Sequence, residues 1–260
     1  MARVVDLNCD MGESFGAYLI GNDEEAIGYI TSANIACGFH ASDPVVMEKT
    51  VKLCRDHKVG VGAHPGYPDL VGFGRRHMDI DAVEVVSSVI YQVGALKGFA
   101  DYFGVPLQHV KLHGALYNNM AVQEETLLRI LAAVRKAFGD VIFLTLGTRT
   151  SAALKKRLKT EGVRLGLEAF PDRAYSDDGG LLPRRFKEAV LKDPEQIARR
   201  AVKMVREGGV ESAGGQWITM DIDTLCIHGD NRESILAAAK IREYMAEEGI
   251  VVQRLSGFLL

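Results

Sequence analysis

Residues Ile35–Pro44, "IACGFHASDP", begin as an apolar strand, break at Gly38, and present His40 just ahead of an Asp43-Pro44 helix start. The same ending returns three more times, as "VGVGAHPGY" at His64, "VKLHGALYN" at His113 and "LCIHGDN" at His228. A strand that closes on small residues and a histidine, then yields to a helix, is the signature of a βαβ unit whose strand end serves a site.

Working outward, seven apolar runs read as strands: Val4–Asp10, Ala33–Gly38, Val59–His64, Val110–Leu116, Val141–Leu146, Arg164–Phe170 and Thr224–His228. Helical patterns lie between them. Asp43-Pro44 opens one that runs through Leu53, by a capping carboxylate and a first-turn proline. Asp79 opens a long one that continues through Val85, Val89, Val93 and Leu96 to Phe103. Others are expected over Glu124–Phe138, Ser151–Thr160, Asp193–Glu207 and Asn231–Glu248, with Gly139, Gly162, Gly208 and Gly249 at helix ends. Strands alternating with helices imply a parallel sheet. A chain of 260 residues without linker, repeat or low-complexity tract is expected to form one domain, an α/β barrel of the TIM type. Val210–Met220 reads as an extra hairpin. Two connections, Pro65–Met78 and Pro171–Val190, are unusually long and rich in Gly, Pro, Tyr and Arg, as functional loops are.

Side chains alternate along a strand, so each strand has two registers. Val5, Leu7 and Cys9 oppose Asp6, Asn8 and Asp10. Ile35, Cys37 and Phe39 oppose Asn34, Ala36, Gly38 and His40; Val59, Val61 and Ala63 oppose Gly60, Gly62 and His64. Val110 and Leu112 oppose Lys111 and His113, Leu165 and Leu167 oppose Gly166 and Glu168, and Leu225 and Ile227 oppose Cys226 and His228. One register is bulky and apolar throughout, the other tiny at the start and polar at the end. A barrel interior is ordinarily filled with branched aliphatics. If the second register faces inward, the centre is polar and partly hollow. Burying an unpaired amide or hydroxyl costs about 2–7 kcal/mol, so such groups must pair with one another, with water or with ligand. Asp10, His40, His64, Lys111, His113, Glu168 and His228 are therefore expected to converge on one catalytic site at the C-terminal strand ends.

Composition excludes several other classes. Net charge is −3 with both signs mixed, and no basic stripe or aromatic–basic interleaving suggests nucleic acid. No segment approaches the length of a membrane span, and the N-terminal stretch has no apolar signal core, so a cytoplasmic protein is expected. Cys9, Cys37, Cys54 and Cys226 are dispersed, as small buried hydrophobes in a reducing compartment are.

"GESFG" at Gly12–Gly16 fits the nucleophile-elbow pattern, but it follows the first strand and leaves no earlier strand for an oxyanion-hole loop. Gly12 then serves a turn, and Glu13 is a candidate to join the site. Asp10, His40 and His64 form a carboxylate-plus-two-histidine set able to take a divalent cation, although no compact H-x-x-x-H is present. Arg75, Arg76, Arg173, Arg184 and Arg185 in the two long loops are either solvated or clamps for a carboxylate or phosphate. No P-loop or dinucleotide fingerprint occurs, so any nucleotide is bound unconventionally or by a partner protein.

The segments "VDLNCDMGESFG", "SANIACGFHASDP", "VGAHPGYPDLVGFGRR", "VKLHGALYN", "FPDRAYSDDGGLLPRR" and "LCIHGDN" resemble the LamB/YcsF family over nearly the whole chain, in the same order. The resemblance implies a seven-stranded (β/α) barrel related to the glycoside hydrolase/deacetylase superfamily, in agreement with the count of seven strands. It also implies ring-opening of 5-oxo-L-proline to L-glutamate coupled to hydrolysis of ATP, in company with 5-oxoprolinase subunits B and C. Asn8, Glu13, Arg75, Tyr117, Arg173, Arg185 and Asp230 are then candidates to bind the lactam. A metal-dependent amidohydrolase or deacetylase on the same barrel, and a non-catalytic substrate-binding protein, are the alternatives. The sequence leaves self-association open.

Overall fold

The two registers of the strands sort to the two sides of one closed sheet. The computed structural model describes residues 3–120, 123–227 and 232–259. In chain order the strands are β1 (Val4–Met11), β2 (Ser32–Ala36), β3 (Gly60–His64), β4 (Leu107–Lys111), β5 (Ile142–Leu146), β6 (Arg164–Ala169), β7 (Gly209–Glu211), β8 (Trp217–Thr219), β9 (Thr224–Ile227) and β10 (Val251–Val252). The helices are α1 (Asp23–Ala26), α2 (Pro44–His57), α3 (Ala82–Tyr102), α4 (Gly114–Met120), α5 (Glu124–Phe138), α6 (Ser151–Thr160), α7 (Pro194–Glu207) and α8 (Arg232–Glu247).

Strands β1–β6 and β9 pair in parallel, and β9 returns to β1 through Asp6↔Thr224 and Leu7↔Leu225. The result is a closed seven-stranded (β/α) barrel of the TIM type, one strand short of the usual eight. The pair β7–β8 forms the expected antiparallel hairpin outside it. Val5, Leu7, Cys9, Ile35, Val61, Ala63, Leu165, Leu167 and Leu225 meet the helices in the main core. Inside, Ile142, Leu144, Leu255 and Leu259 form a separate apolar cluster. The short turn Leu255–Gly257 belongs to it, so the C-terminal segment closes one end of the barrel.

Local chemistry sets the helix boundaries. The Asp43 carboxylate accepts from the Val45 and Val46 amides and Pro44 fills the first turn; Asp193 and Pro194 repeat the device at α7. Helix α3 begins at Ala82 rather than near Asp79, because Asp81 is the residue whose carboxylate caps the Val83 amide.

Strand β4 differs most from expectation. It covers Leu107–Lys111, not Val110–Leu116. Gly114 turns the chain at φ 55°, and the apolar residues Ala115, Leu116, Tyr117 and Met120 form the buried face of α4. A short apolar run cannot be divided between strand and helix by periodicity alone. Strand β2 likewise ends at Ala36, so the alternation does not extend to His40. His64 is the last residue of its strand; His40 and His113 stand on the turns that follow theirs.

Beside that apolar cluster the interior is polar, but it is not hollow. The ladder between β3 and β4 steps from Val61↔Leu107 to Gly62↔His109, skipping Gln108 as a bulge. Gln108 and His109 then both turn inward: Gln108 donates to Ser32 Oγ at 2.8 Å and His109 Nε2 to Asn34 Oδ1 at 2.7 Å. A Cβ at Gly60 would overlap the Gln108 amide, and one at Gly62 the His109 ring. The small residues do make room, and neighbouring side chains take it.

Candidate active site at the C-terminal strand ends

Lys111 stands at the centre of the upper barrel, 3 % exposed. Its ammonium lies 3.0 Å from Asp10 Oδ1, 2.9 Å from Glu168 Oε1 and 3.1 Å from Cys226 Sγ. Burial opposes a charge there, but Asp10 and Glu168 outweigh it and hold the ammonium above the ordinary lysine range. Tyr117, carried in by α4, donates to Glu168 Oε2 at 3.0 Å. Glu168 is fully buried, whereas the Asp10 side chain keeps 16 % of its surface exposed. Burial also keeps the Cys226 thiol protonated.

A one-way chain of donors ends on Asp10. Gln108 donates to His109 Nδ1, His109 to Asn34 Oδ1, and the Asn34 amide to Asp10 Oδ1 at 2.8 Å. This fixes the His109 tautomer, and burial lowers its pKa to about 3, so the ring is neutral. Asn8 lies within the network, donating to Thr224 and accepting from Asn34.

Three histidines stand above this layer. His64 Nδ1 donates to the Lys111 carbonyl at 2.8 Å, and its Nε2 lies 3.4 Å from Asp10 Oδ2. His113 Nδ1 lies 3.0 Å from His64 Nε2, and His113 Nε2 donates to the Phe73 carbonyl at 2.8 Å. His40 stacks on His113 with centroids 3.6 Å apart and planes within 2°. Neither His40 nitrogen has a hydrogen-bond partner among the described residues although the ring is buried, and burial pushes both His40 and His113 well below the ordinary histidine range. Glu13, from the turn after β1, brings Oε1 to 3.6 Å from His40 Nε2 and 3.9 Å from His113 Nδ1.

The loop after β3 is moulded over these rings. Phe73 adopts φ 53° and packs edge-on against His40 and His113. A Cβ at Gly74 would lie 2.7 Å from His40 Cβ, and at Gly66 2.8 Å from His40 Nδ1. Arg75 is exposed and lies over the Phe73 ring at 4.9 Å.

Of the residues singled out in the sequence, Asp10, His40, His64, Lys111, His113 and Glu168 come together, with Asn8, Glu13 and Tyr117 in contact with them. His228 and Asp230 lie outside the described residues. Arg173 is engaged by backbone: its buried guanidinium donates to the Ala189 and Leu182 carbonyls and pins the loop after β6. Burial lowers its pKa to about 10. Arg185 lies over the Phe186 ring on the exposed part of that loop. The trio Asp10, His40 and His64 is close, but His40 turns its face to His113. Among the described residues, Glu13, His40, His64 and His113 bring one donor atom each within 4.8 Å of one another. Sequence reasoning misses His109, Gln108 and Cys226 as site residues; the inward register beside His228 could have found Cys226, and the bulge hides the other two.

The family description "LamB/YcsF family" matches residues 5–259. A protein of Pyrococcus abyssi, named as the A subunit of 5-oxoprolinase, is 48 % identical over 255 residues, covering 98 % of this chain and 99 % of that one. The crystal structure of a lactam utilization protein from Thermus thermophilus superposes with a TM-score of 0.87 at 43 % identity, over 96 % of this chain and 98 % of its own. A family 4 carbohydrate esterase from Streptomyces lividans, 12 % identical with a TM-score of 0.51 over 98 % of this chain and 93 % of its own, shares the fold.

Proposed function

This chain belongs to the LamB/YcsF family, and from that premise we propose that it is the lactam-opening component of an ATP-dependent 5-oxoprolinase. The observation that carries the reading is a buried Lys111–Asp10–Glu168 cluster roofed by histidines at the barrel end where such enzymes react. The names of the Pyrococcus and Thermus relatives support the substrate class.

An unstrained five-membered lactam resists hydrolysis, and ring closure competes with it. Transfer of the γ-phosphoryl group of ATP to the lactam oxygen gives a phosphorylated imidate and ADP. Water adds to the imidate carbon, and the ring C–N bond breaks with its electron pair and a proton going to nitrogen, which leaves γ-glutamyl phosphate. A second water cleaves that acyl phosphate to L-glutamate and inorganic phosphate. Neutral His40, with both nitrogens unclaimed by the described residues, takes the proton from water. Asp10, the more accessible of the two carboxylates, orients the water, while Lys111 holds Asp10 and Glu168 in place and supplies a fixed positive charge. Arg75 at the mouth faces the substrate carboxylate. The chain has no P-loop, so ATP is met together with partner subunits B and C.

Co-expression with those partners tests the reading: 5-oxoproline-dependent phosphate release must require this chain and fall at least about 100-fold in His40→Ala and Asp10→Asn. The donor cluster of Glu13 and three histidines favours a second reading, a metal-dependent amidohydrolase. Lactam opening that proceeds without ATP and stops with a chelator would select it. Full turnover with Asp10→Asn would leave a binding role only.

A further inference from the structure

We infer that His64 Nε2, His113 Nδ1 and the Glu13 carboxylate form a divalent-cation site with one position open, and that His40 lies beside it without being a ligand. The outer nitrogens decide the matter. His64 Nδ1 and His113 Nε2 each face a backbone carbonyl, of Lys111 and Phe73, and a carbonyl can only accept. Both outer nitrogens therefore carry hydrogens. In neutral rings the inner nitrogens are then bare lone pairs, 3.0 Å apart and facing each other. Two lone pairs at that distance repel unless a cation lies between them. Ligating histidines are held in this way, with the distal N–H donated to a carbonyl.

The spacing fits a small ion. A tetrahedral zinc site with bonds of about 2.0–2.1 Å separates its donors by about 3.3 Å. Here the inner nitrogens are 3.0 Å apart and Glu13 Oε1 is 3.9 Å from His113 Nδ1. His40 is excluded by its stacking. Two parallel rings 3.6 Å apart have parallel in-plane lone pairs, and an ion shared between them would sit about 1.8 Å out of each plane. Two histidines, one carboxylate and an open fourth place are the ligand set of hydrolytic zinc sites. This set differs from Asp10, His40 and His64: Asp10 Oδ1 is taken by Lys111 and Asn34. The left-handed Phe73 and close-packed Gly74 have a purpose here, since they aim the Phe73 carbonyl at His113.

The test needs no turnover, so its failure would leave the lactam reading standing. The full chain is stripped with chelator and titrated with Zn²⁺, or with Co²⁺ followed by its visible spectrum. One equivalent should bind, with a four- or five-coordinate cobalt spectrum. His64→Ala and His113→Ala should each weaken binding more than about 100-fold, Glu13→Gln about tenfold, and His40→Ala less than about threefold. Thermal unfolding reports whether each variant is folded. Should an alanine variant not fold, ¹⁵N spectra of the wild type decide: zinc must move His64 Nε2 and His113 Nδ1 and spare both His40 nitrogens. No stoichiometric uptake by the wild type, uptake indifferent to His64 and His113, or a loss in His40→Ala equal to theirs would overturn the assignment.

Discussion

In the lower part of the barrel, Asp6 accepts hydroxyl donors from Thr31, Ser32 and Thr224, and Ser256 donates to Gln108, which donates to Ser32. In the upper part, Asp10 and Glu168 share the Lys111 ammonium, but above them the two His40 nitrogens make no hydrogen bond to the described residues and the inner nitrogens of His64 and His113 face each other 3.0 Å apart. Both regions bury polar groups at the centre of a closed sheet. The lower one closes its hydrogen bonds internally and needs nothing from outside. The upper one is closed at its base and open at its rim, and the open groups are those a substrate or ion would complete. Buried polarity alone does not mark the site; unmet polarity does.

The comparison breaks first at Lys111. Lys111→Met removes the cation placed between two buried carboxylates and should destabilise the fold by about 3–5 kcal/mol, read from the urea midpoint. Adding Asp10→Asn and Glu168→Gln to that variant should recover much of the loss, because the stranded charges are gone. A destabilisation unchanged in the triple variant would mean that packing, not charge, holds this layer.

The lower region gives the next effect. Burial pushes the Asp6 carboxyl up from 3.8 to about 6, its hydroxyl partners opposing only in part. A carboxyl raised in the folded state binds more protons there than in the unfolded chain. Its contribution is therefore fully present below pH 4 and is lost as pH rises to about 6. The amplitude is about 3 kcal/mol, and Asp6→Asn should flatten that slope in urea midpoints taken from pH 4 to 7. The sign is opposite to that of a surface carboxylate in an ion pair, which separates the two origins.

Gly62→Ala probes how full the interior is. The added methyl would overlap the His109 ring, which is locked between Gln108 and Asn34. Overpacking of this kind costs about 1–3 kcal/mol. A neutral substitution would show that the centre is as hollow as the small residues suggest.

How much of this was legible in the sequence follows from the same contrast. Alternation along β1, β3 and β6 separated the inward from the outward face, because every residue there keeps its place in the pleat. Caps at Asp43 and Asp193 were readable because the carboxylate and the following proline act within one turn. The β4 bulge was not readable: one skipped residue sends Gln108 and His109 to the same side, and period two cannot express that. The backbone carbonyls that set the histidine tautomers have no side-chain signature. Strand alternation points to His40 and His113 only indirectly, since they reach the site from turns, beside Gly38 at φ 92° and Gly114 at φ 55°, rather than along a strand. Arg173 shows the limit of composition: a loop arginine looks the same in sequence whether it clamps a ligand or, as here, its own backbone.

The smallest effect on stability is expected where the effect on function is largest. His40→Ala removes a buried ring whose nitrogens make no hydrogen bond to the described residues, so the lost stacking on His113 is offset by relief of unsatisfied polar atoms. The urea midpoint should move by less than about 1 kcal/mol, against a typical cost of about 2–5 kcal/mol for truncating a large apolar core residue. Turnover with the partner proteins should fall about 10²–10⁴-fold, the range of a lost general base. His109→Ala in the closed network should do the reverse, costing stability because it leaves the Asn34 carbonyl oxygen unmet. A His40 variant that loses stability as His109 does, and keeps its turnover, would erase the distinction between the two regions, for it would make His40 one more member of the packed interior.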